Sequence, residues 1–277
     1  LSARHRRIGG KRDRVSHPSV FRDRPNVDFL MAHAEGVLPE ENLLRTDRGG
    51  VAYDYLVLAA GATTNYFGLE QVARHAFGMK TLQEAIRIRN QVLRMFEQAS
   101  RLEDAAERCR LLTFVCVGGG PTGVECAGAL SELIYDVLPQ EYHGMDFSEV
   151  RILLVEAMDK VVPMMPEALQ QETLRVLREV RRVDVRLNTQ VMDYDGQELI
   201  LQGGASVPTN TVIWAAGVKA VSLMKALGTE LDRAGRVVVQ PTLQIKEYPN
   251  IFALGDCACF LQEGRPLPTG CLLYTSD

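Results

Sequence analysis

Residues Leu111–Leu130 read LLTFVCVGGGPTGVECAGAL, and this stretch decides the fold. A short apolar run, Leu111 to Val117, precedes glycines with the spacing G-x-G-x-x-G, and a helix-compatible segment follows. Gly118 permits a tight turn, Gly120 lets a pyrophosphate approach the backbone, and Gly123 lets the helix pack close to the strand. The helix N-terminus would offer free N–H groups and a positive dipole end to the phosphates. The stretch predicts a dinucleotide-binding unit; a glycine-rich turn that binds nothing is the alternative.

The composition is that of an ordinary globular protein of about two domains. Of the 277 residues, 46% are hydrophobic and 24% are charged, and 31 basic against 35 acidic residues give a net charge of -4. This balance argues against a nucleic-acid-binding protein. The basic N-terminal segment indicates a solvated surface or, alternatively, a face suited to an anionic membrane or to phosphates. We expect no transmembrane helix and no signal peptide, because apolar runs of sufficient length are absent from the sequence.

The cysteine spacing argues against a metal centre and against a redox-active disulfide. The six cysteines include no Cys-x-x-Cys pair, which weakens the case for a zinc site and for a dithiol motif alike. Cys116 falls in the apolar run before the glycines and Cys126 in the segment after them, where cysteine is typical of a hydrophobic core. We therefore expect no metal ligands, and neither cysteine is assigned a nucleophilic role.

Apolar runs that alternate with helical patterns predict a parallel, doubly wound α/β sheet around residues 111–182. A proline at position 166 favours the start of a helix just after it. Shorter strands beyond Val183 are interpreted as an antiparallel meander inserted into the sheet. The expected elements are strands Val27–Ala32 and Val51–Ala60, helix Leu82–Ser100, strand Arg151–Val155, helix Glu167–Arg182, and the meander strands Val183–Leu187, Gln190–Tyr194 and Leu199–Gln202.

Glu156 closes the strand that follows the glycine loop. A carboxylate at this position accepts hydrogen bonds from the ribose hydroxyls of an adenosine and repels a 2′-phosphate, which favours NADH over NADPH. The usual spacing from the loop is about 20 residues. Here Gly118 and Glu156 are farther apart, and Tyr135–Ser148, which breaks the helical pattern, is the expected excess. An ordinary surface acid is the alternative.

A second motif repeats later in the chain. Tyr55–Gly61 (YLVLAAG) resembles Val212–Gly217 (VIWAAG), which suggests two related nucleotide-binding halves. Gly255-Asp256 follows the apolar run Ile251–Leu254. A carboxylate at the C-terminal edge of a strand can reach ligand hydroxyls, although a helix N-cap would show the same residues.

Together these motifs resemble the flavoproteins with two dinucleotide-binding domains, and within them the type II NADH dehydrogenases (NADH:quinone oxidoreductases). The order and spacing of the motifs match over most of the chain. Ala62–Gly68 (ATTNYFG) is similar to the dehydrogenase branch in particular and is more specific than the glycine motifs. The matching segments are Tyr53–Thr64, Val117–Glu125, Val155–Ala157, Ile213–Val218 and Asn250–Asp256.

The resemblance implies an α/β fold with two Rossmann-like domains, in which the NADH domain is inserted in an incomplete FAD domain. The implied division is residues 1–109 and 221–277 for parts of the FAD domain and 110–220 for the NADH domain. Hydride would pass from NADH to FAD and then to a quinone, and the cofactors would supply that chemistry. The implied NADH contacts are Gly118, Gly119, Gly120, Thr122, Gly123, Glu156, Ala216 and Gly217, with Glu125 as the catalytic residue near the nicotinamide. The implied FAD contacts are Ala34 after the early strand, Ala60, Gly61, Gly255 and Asp256.

Two features depart from the family pattern. The family carries a first G-x-G-x-x-G near its N-terminus for the FAD pyrophosphate, whereas Gly9-Gly10 here is followed by Lys11-Arg12. The stretch Thr269–Asp277 stands where the family would have a quinone-site segment and a membrane-binding tail. We therefore expect a fragment, truncated at both ends, that binds NADH weakly and purifies without flavin.

The resemblance also implies partners and a location. A quinone would accept the electrons, nucleic acid would not bind, and a homodimer stays open. The whole enzyme would lie on the cytoplasmic face of the inner membrane as a peripheral protein, held by segments missing here, while the fragment would be soluble. Two alternatives remain: a related reductase of the same fold, such as a ferredoxin, nitrite or sulfide:quinone reductase, or an NADH-binding module without turnover. The missing cysteine pair speaks against a disulfide reductase.

Overall fold

The structure is a computed structural model that describes Arg24 and residues 26–267. The rest of the basic N-terminal segment and the unusual stretch from Thr269 onward lie outside the described residues. The strands, numbered β1 to β18 in chain order, are Ala34–Leu38, Leu43–Thr46, Gly49–Ala52, Leu56–Leu58, Ala62–Thr64, Phe77–Gly78, Thr113–Val117, Arg151–Val155, Val183–Arg186, Val191–Tyr194, Glu198–Leu201, Ser206–Pro208, Thr211–Trp214, Val218–Ala220, Val237–Val239, Ile251–Ala253, Ala258–Gln262 and Arg265–Pro266. The helices α1 to α5 are Glu70–His75, Leu82–Ala99, Ala105–Leu111, Pro121–Glu132 and Glu167–Arg175.

The described residues form two compact units, Gly61–Ala220 and the combination of the residues before Gly61 with those after Ala220. The first of these, called the central unit below, begins upstream of residue 110, where the sequence placed the start of an NADH domain. It does so because α2 packs against β6 and β13 of the sheet of this unit. Which cofactor each unit serves stays a prediction at this point.

The central unit is built on a five-stranded parallel sheet in the order β6-β13-β7-β8-β9. Strands β7 and β13 are buried over their whole length, as expected of continuous apolar runs covered on both faces. The expected strand Arg151–Val155 is confirmed as β8. The strand expected at Val183–Leu187 forms as β9, but it pairs in parallel with β8 and does not join the meander. The reason is that α5 and the turn Val176–Val180 provide the crossover that a parallel neighbour requires.

Alternate residues of this sheet enter two separate cores. Phe114, Cys116 and Ile152 face a core that includes residues of α2 and α4. Val115 and Leu153 face the other core, which contains residues of α1 and of the antiparallel sheet β10-β11-β12. The expected meander is thus confirmed for its later strands. The sheet is not doubly wound by long helices on both faces, because this meander covers the second face.

Helix α2 confirms the helix expected at Leu82–Ser100. Its N-terminus has a capping box, in which the Thr81 hydroxyl accepts from Glu84 N–H at 3.2 Å and the Glu84 carboxylate accepts from Thr81 N–H at 2.7 Å. Its buried face repeats at helical spacing and supplies one wall of the first core. The buried residues are Ile88, Val92, Met95, Phe96 and Ala99.

The second unit holds three small sheets, β1-β2-β3, β4-β16 and β15-β17-β18. The expected strand Val27–Ala32 is wrong: no strand pairs with this stretch in the described part of the chain, and Phe29, Leu30 and Met31 are exposed. The expected strand Val51–Ala60 is also wrong as one element, because a bend at Asp54 divides it between the antiparallel β3 and the parallel β4.

Candidate functional site

The glycine loop follows β7 directly, as the sequence predicted. Gly118 has a φ of 112° and donates its N–H to Val155 O at 2.8 Å. A Cβ on Gly118 would lie 2.7 Å from Ala216 Cα, and one on Gly123 would overlap the carbonyl oxygen of Gly118. Gly118 must be glycine because of its positive φ and the nearby Ala216 backbone. Gly123 must be glycine because α4 packs directly on the loop.

The side of the loop on which a ligand would approach is open. Gly120 is the N-cap of α4, and a Cβ built on it would meet no protein atom within 4 Å. Pro121 and the exposed Thr122 begin the helix, whose first N–H groups have no intrahelical acceptor. An open glycine at a helix N-terminus has the shape and the partial charge that a pyrophosphate requires.

Glu156 lies beside this loop at the carboxyl end of β8. Its carboxylate accepts from Gly119 N–H and, through Oε1, from Met158 N–H at 2.7 Å. These two bonds fix the half-buried side chain, and each carboxylate oxygen retains a lone pair for a further donor. The arrangement fits an adenosine ribose whose hydroxyls donate to the carboxylate. The long spacing from Gly118 is accommodated by a π-helix that continues α4, Leu133–Val137, and by the short 3-10 helices Leu138–Gln140 and Phe147–Glu149.

The turn after β13 lies beside the glycine loop, at the carboxyl-end edge of the central sheet. Ala215 N–H donates to Val117 O at 2.8 Å, and the Ala216 backbone fills the space next to Gly118. The predicted NADH contacts on β7, β8 and β13 thus lie at the carboxyl ends of three adjacent strands, the edge where parallel sheets bind ligands. Glu125, the predicted catalytic residue, lies on α4 with its side chain exposed.

A segment that the sequence did not assign to the site also reaches this edge. Asn65 N–H donates to Gly217 O at 3.0 Å, and Asn65 O accepts from the Trp214 indole N–H at 2.8 Å. A Cβ on Gly217 would lie 2.8 Å from Phe67 Cζ. The signal was present in ATTNYFG, which was interpreted only as a mark of the family branch.

The predicted FAD contacts lie in the second unit except for Gly61, which begins the central unit. Strands β4 and β16 are parallel neighbours, and Leu254 N–H donates to Leu58 O at 2.9 Å. Ala60 and Gly255-Asp256 therefore follow the carboxyl ends of two adjacent strands. Gly255 has a φ of 67°, and a Cβ on it would meet no protein atom within 4 Å, so a ligand could approach this turn.

Ala34 does not join that group. It opens β1 and pairs with Thr46 of β2 in a separate antiparallel sheet. The backbone of His33 is held by Asp47, whose Oδ1 accepts from His33 N–H at 2.7 Å. The expectation that Ala34 follows an early strand is therefore wrong, because the first described strand begins at Ala34 itself.

Cys116 and Cys126 pack together beneath the loop, with their Sγ atoms 3.8 Å apart. The hydrogen bond to Cys126, together with burial, raises the pKa of the Cys116 thiol well above its usual value. Both side chains are buried in the first core, at 0% and 6% exposure, which agrees with a packing role. No metal-binding cluster of His, Cys, Asp and Glu side chains is found among residues 24 and 26–267. No helix within the same residues is long and apolar enough to cross a membrane.

Comparison with known proteins places this chain among pyridine nucleotide oxidoreductases. The model of the family described as pyridine nucleotide-disulphide oxidoreductase matches residues 4–270. The type II NADH:quinone oxidoreductase NdhA of Mycobacterium tuberculosis is 42% identical over 213 residues, which are 74% of this chain and 45% of that protein. Ndh of the same organism is 39% identical over 222 residues, 77% of this chain and 47% of that protein.

A solved structure agrees on the fold. NDH2 from Plasmodium falciparum, determined in complex with NADH, aligns with a TM-score of 0.77 and 23% identity over 83% of this chain and 50% of that one. The chain therefore spans about half the length of the proteins it matches. The resemblance to type II NADH dehydrogenases and the Rossmann-like α/β fold are confirmed.

Proposed function

The chain belongs to the pyridine nucleotide-disulphide oxidoreductase family, and from this premise we propose that it is part of an FAD-dependent NADH:quinone oxidoreductase. The observation that carries the proposal is the glycine loop of the central unit, with the Glu156 carboxylate fixed beside it. The similarity to two type II NADH:quinone oxidoreductases supports the quinone as acceptor. Because the chain spans about half of those relatives, the complete reaction is assigned to the whole protein.

The central unit would hold NADH. The pyrophosphate would lie on Gly120 and the N-terminus of α4, where the open glycine leaves room and the helix dipole favours negative charge. Glu156 would accept from the ribose hydroxyls and would repel the 2′-phosphate of NADPH. Ala216 and Gly217 would border the nicotinamide half, and Glu125 would stand near the reacting end of NADH.

The second unit would hold part of FAD. The open Gly255 and the exposed Ala60 leave the carboxyl ends of β16 and β4 accessible, and Asp256 would accept from hydroxyls of the ribityl chain, as the family resemblance implies. Gly61 would lie by the same cofactor, whereas the place of Ala34 in another sheet weakens its assignment to the adenine. When bound, the flavin supplies two-electron chemistry, and the protein contributes binding and orientation.

The proposal includes attachment of the whole enzyme to a membrane. Reaction with a quinone requires access to the membrane surface, so we place the whole enzyme peripherally on the cytoplasmic face of the inner membrane. A homodimer would fit this placement equally well.

The test is anaerobic flavin spectroscopy on the whole protein to which this chain belongs, reconstituted with FAD. We expect NADH to bleach the flavin and a short-chain quinone to restore its colour, with NADPH much less effective. A flavin reoxidised by a ferredoxin or a disulfide but not by the quinone would contradict the proposal and indicate a related reductase. NADH binding without FAD binding would indicate an NADH-binding module. Asp256→Asn serves as a variant that should retain NADH and lose FAD affinity.

A further inference from the structure

We propose that Phe67 is a cofactor-contacting residue that presents its ring to the nicotinamide half of NADH. The contact would strengthen the binding of NADH relative to ligands that lack the nicotinamide. The inference rests on the proposed NADH site. It concerns the side of the site opposite Glu156, where Glu125 is the charged residue among the predicted contacts and no aromatic residue has been assigned.

The order of the strands gives the direction of the dinucleotide. Glu156 ends β8, the glycine loop ends β7, and Ala216-Gly217 follow β13, which lies on the other side of β7. With the adenosine ribose on Glu156 and the pyrophosphate on the loop, the remaining half of NADH extends toward β13. Adjacent strands are about 4.8 Å apart, so two strand spacings match the step from one nucleoside to the other.

Phe67 lies at that end of the edge. Its ring packs on Gly217, where a Cβ would come within 2.8 Å of Phe67 Cζ. Despite this contact, Phe67 as a whole is 62% exposed, which leaves a large apolar surface in water beside a ligand site. Gly217 therefore makes room for the ring, and the ring makes an apolar wall above the turn after β13.

The backbone of Phe67 is held in an unfavourable conformation. Its φ is 52°, in the left-handed region that non-glycine residues rarely adopt. Asn65 Oδ1 accepts from Phe67 N–H at 3.0 Å, and Asn65 is itself bound to Gly217 O and to the Trp214 indole. Strain that neighbouring groups maintain in this way occurs preferentially at ligand-binding positions.

The chemistry of the ring fits this position. An aromatic face packs favourably against a flat heterocycle, and the contact discriminates by the presence of that heterocycle. ADP-ribose contains the adenosine, the pyrophosphate and the second ribose of NADH but lacks the nicotinamide. Comparing the affinities of these two ligands therefore distinguishes a contact at the nicotinamide from an effect on the rest of the site.

The test compares the dissociation constants of NADH and ADP-ribose for the wild-type chain and for Phe67→Gly, measured by calorimetry. Glycine keeps the left-handed turn without strain, so this variant removes the ring and preserves the backbone. We expect the dissociation constant of NADH to rise about five-fold, which is within the range of a lost aromatic contact. The dissociation constant of ADP-ribose should change less than about two-fold, because this ligand lacks the nicotinamide. Phe67→Tyr should restore NADH binding.

Control measurements distinguish a failure of the role of Phe67 from a failure of the proposed NADH site. Tyr55→Ala removes an aromatic residue that is 73% exposed in the other unit and should leave both constants unchanged. Unchanged NADH binding in Phe67→Gly, or an equal loss of both ligands, would overturn the role of Phe67. A wild-type chain that binds neither ligand would instead refute the NADH site on which the inference rests.

Discussion

Replacement of Gly123 by alanine tests whether close packing between α4 and the glycine loop forms the site. The added methyl carbon would overlap the carbonyl oxygen of Gly118, well inside the 3.0 Å that real Cβ atoms keep from backbone. Gly118 cannot retreat easily, because its N–H is bound to Val155 O and its other side abuts Ala216. The helix must therefore shift away from the strand.

Two effects of opposite sign decide the magnitude. Alanine favours a helix over glycine by about 1 kcal/mol. Overpacking costs about 1–3 kcal/mol, and an overlap with a fixed backbone atom falls at the upper end. We expect Gly123→Ala to lower the free energy of unfolding by about 2 kcal/mol, the difference between these terms. Gly128→Ala, in the same helix, is the matched control, because a Cβ there meets nothing within 4 Å beyond the backbone of the helix itself. It should stabilise by about 0.5–1 kcal/mol.

Urea unfolding followed by tryptophan fluorescence measures both variants. The single tryptophan, Trp214, is 3% exposed in β13 next to β7, so its emission reports on the central sheet. NADH affinity should fall in Gly123→Ala and remain unchanged in Gly128→Ala. Equal stability and equal NADH affinity in the two variants would refute the argument from close packing.

Three further predictions concern the central unit. Glu156→Gln should weaken NADH binding about ten-fold or more and reduce the preference over NADPH, because the amide loses the charge that binds ribose and repels phosphate; unchanged affinities would exclude this role. Thr81→Ala removes the cap of α2 and should lower the free energy of unfolding by about 1 kcal/mol, measured in urea, with Thr81→Ser as the control. The hydrogen bond from Arg108 lowers the pKa of Glu149, so this carboxyl contributes stability above its ordinary value of 4.5 and loses it as the pH falls through the lowered pKa. Glu149→Gln should lower the melting temperature at neutral pH and make the melting temperature fall less steeply as the pH is lowered. An equally steep fall in the variant and the wild type would contradict this.

The sequence predicted the edge of the central sheet well because its signals are local. The glycine spacing, the apolar run before it and the acid after β8 each describe a single strand end, and the structure places those ends side by side. The Ala-Ala-Gly endings of Tyr55–Gly61 and Val212–Gly217 suggested two related halves, and the structure shows a parallel strand before each ending, β4 and β13. Helix α2 was equally clear, because Thr81 and Glu84 form a capping box before an amphipathic run.

The errors arose where pairing between distant segments decides the structure. Val183–Arg186 alternates like a meander strand, and only its partner β8 makes it parallel. Val27–Ala32 is apolar enough for a strand, but no partner in the described residues pairs with it. The segment ATTNYFG marked the region of Phe67, but its strained backbone and its contact with Gly217, far along the chain, were visible only in the structure.

The central claim is that residues 61–220 form a site for NADH and discriminate against its phosphorylated form. Calorimetric titration of the chain with NADH and with NADPH under identical conditions tests this claim most directly. We predict saturable binding of one NADH per chain and a dissociation constant for NADPH at least about ten-fold higher, on the scale of a charge that repels the 2′-phosphate. Equal affinity for the two nucleotides, or no binding of NADH, would contradict it.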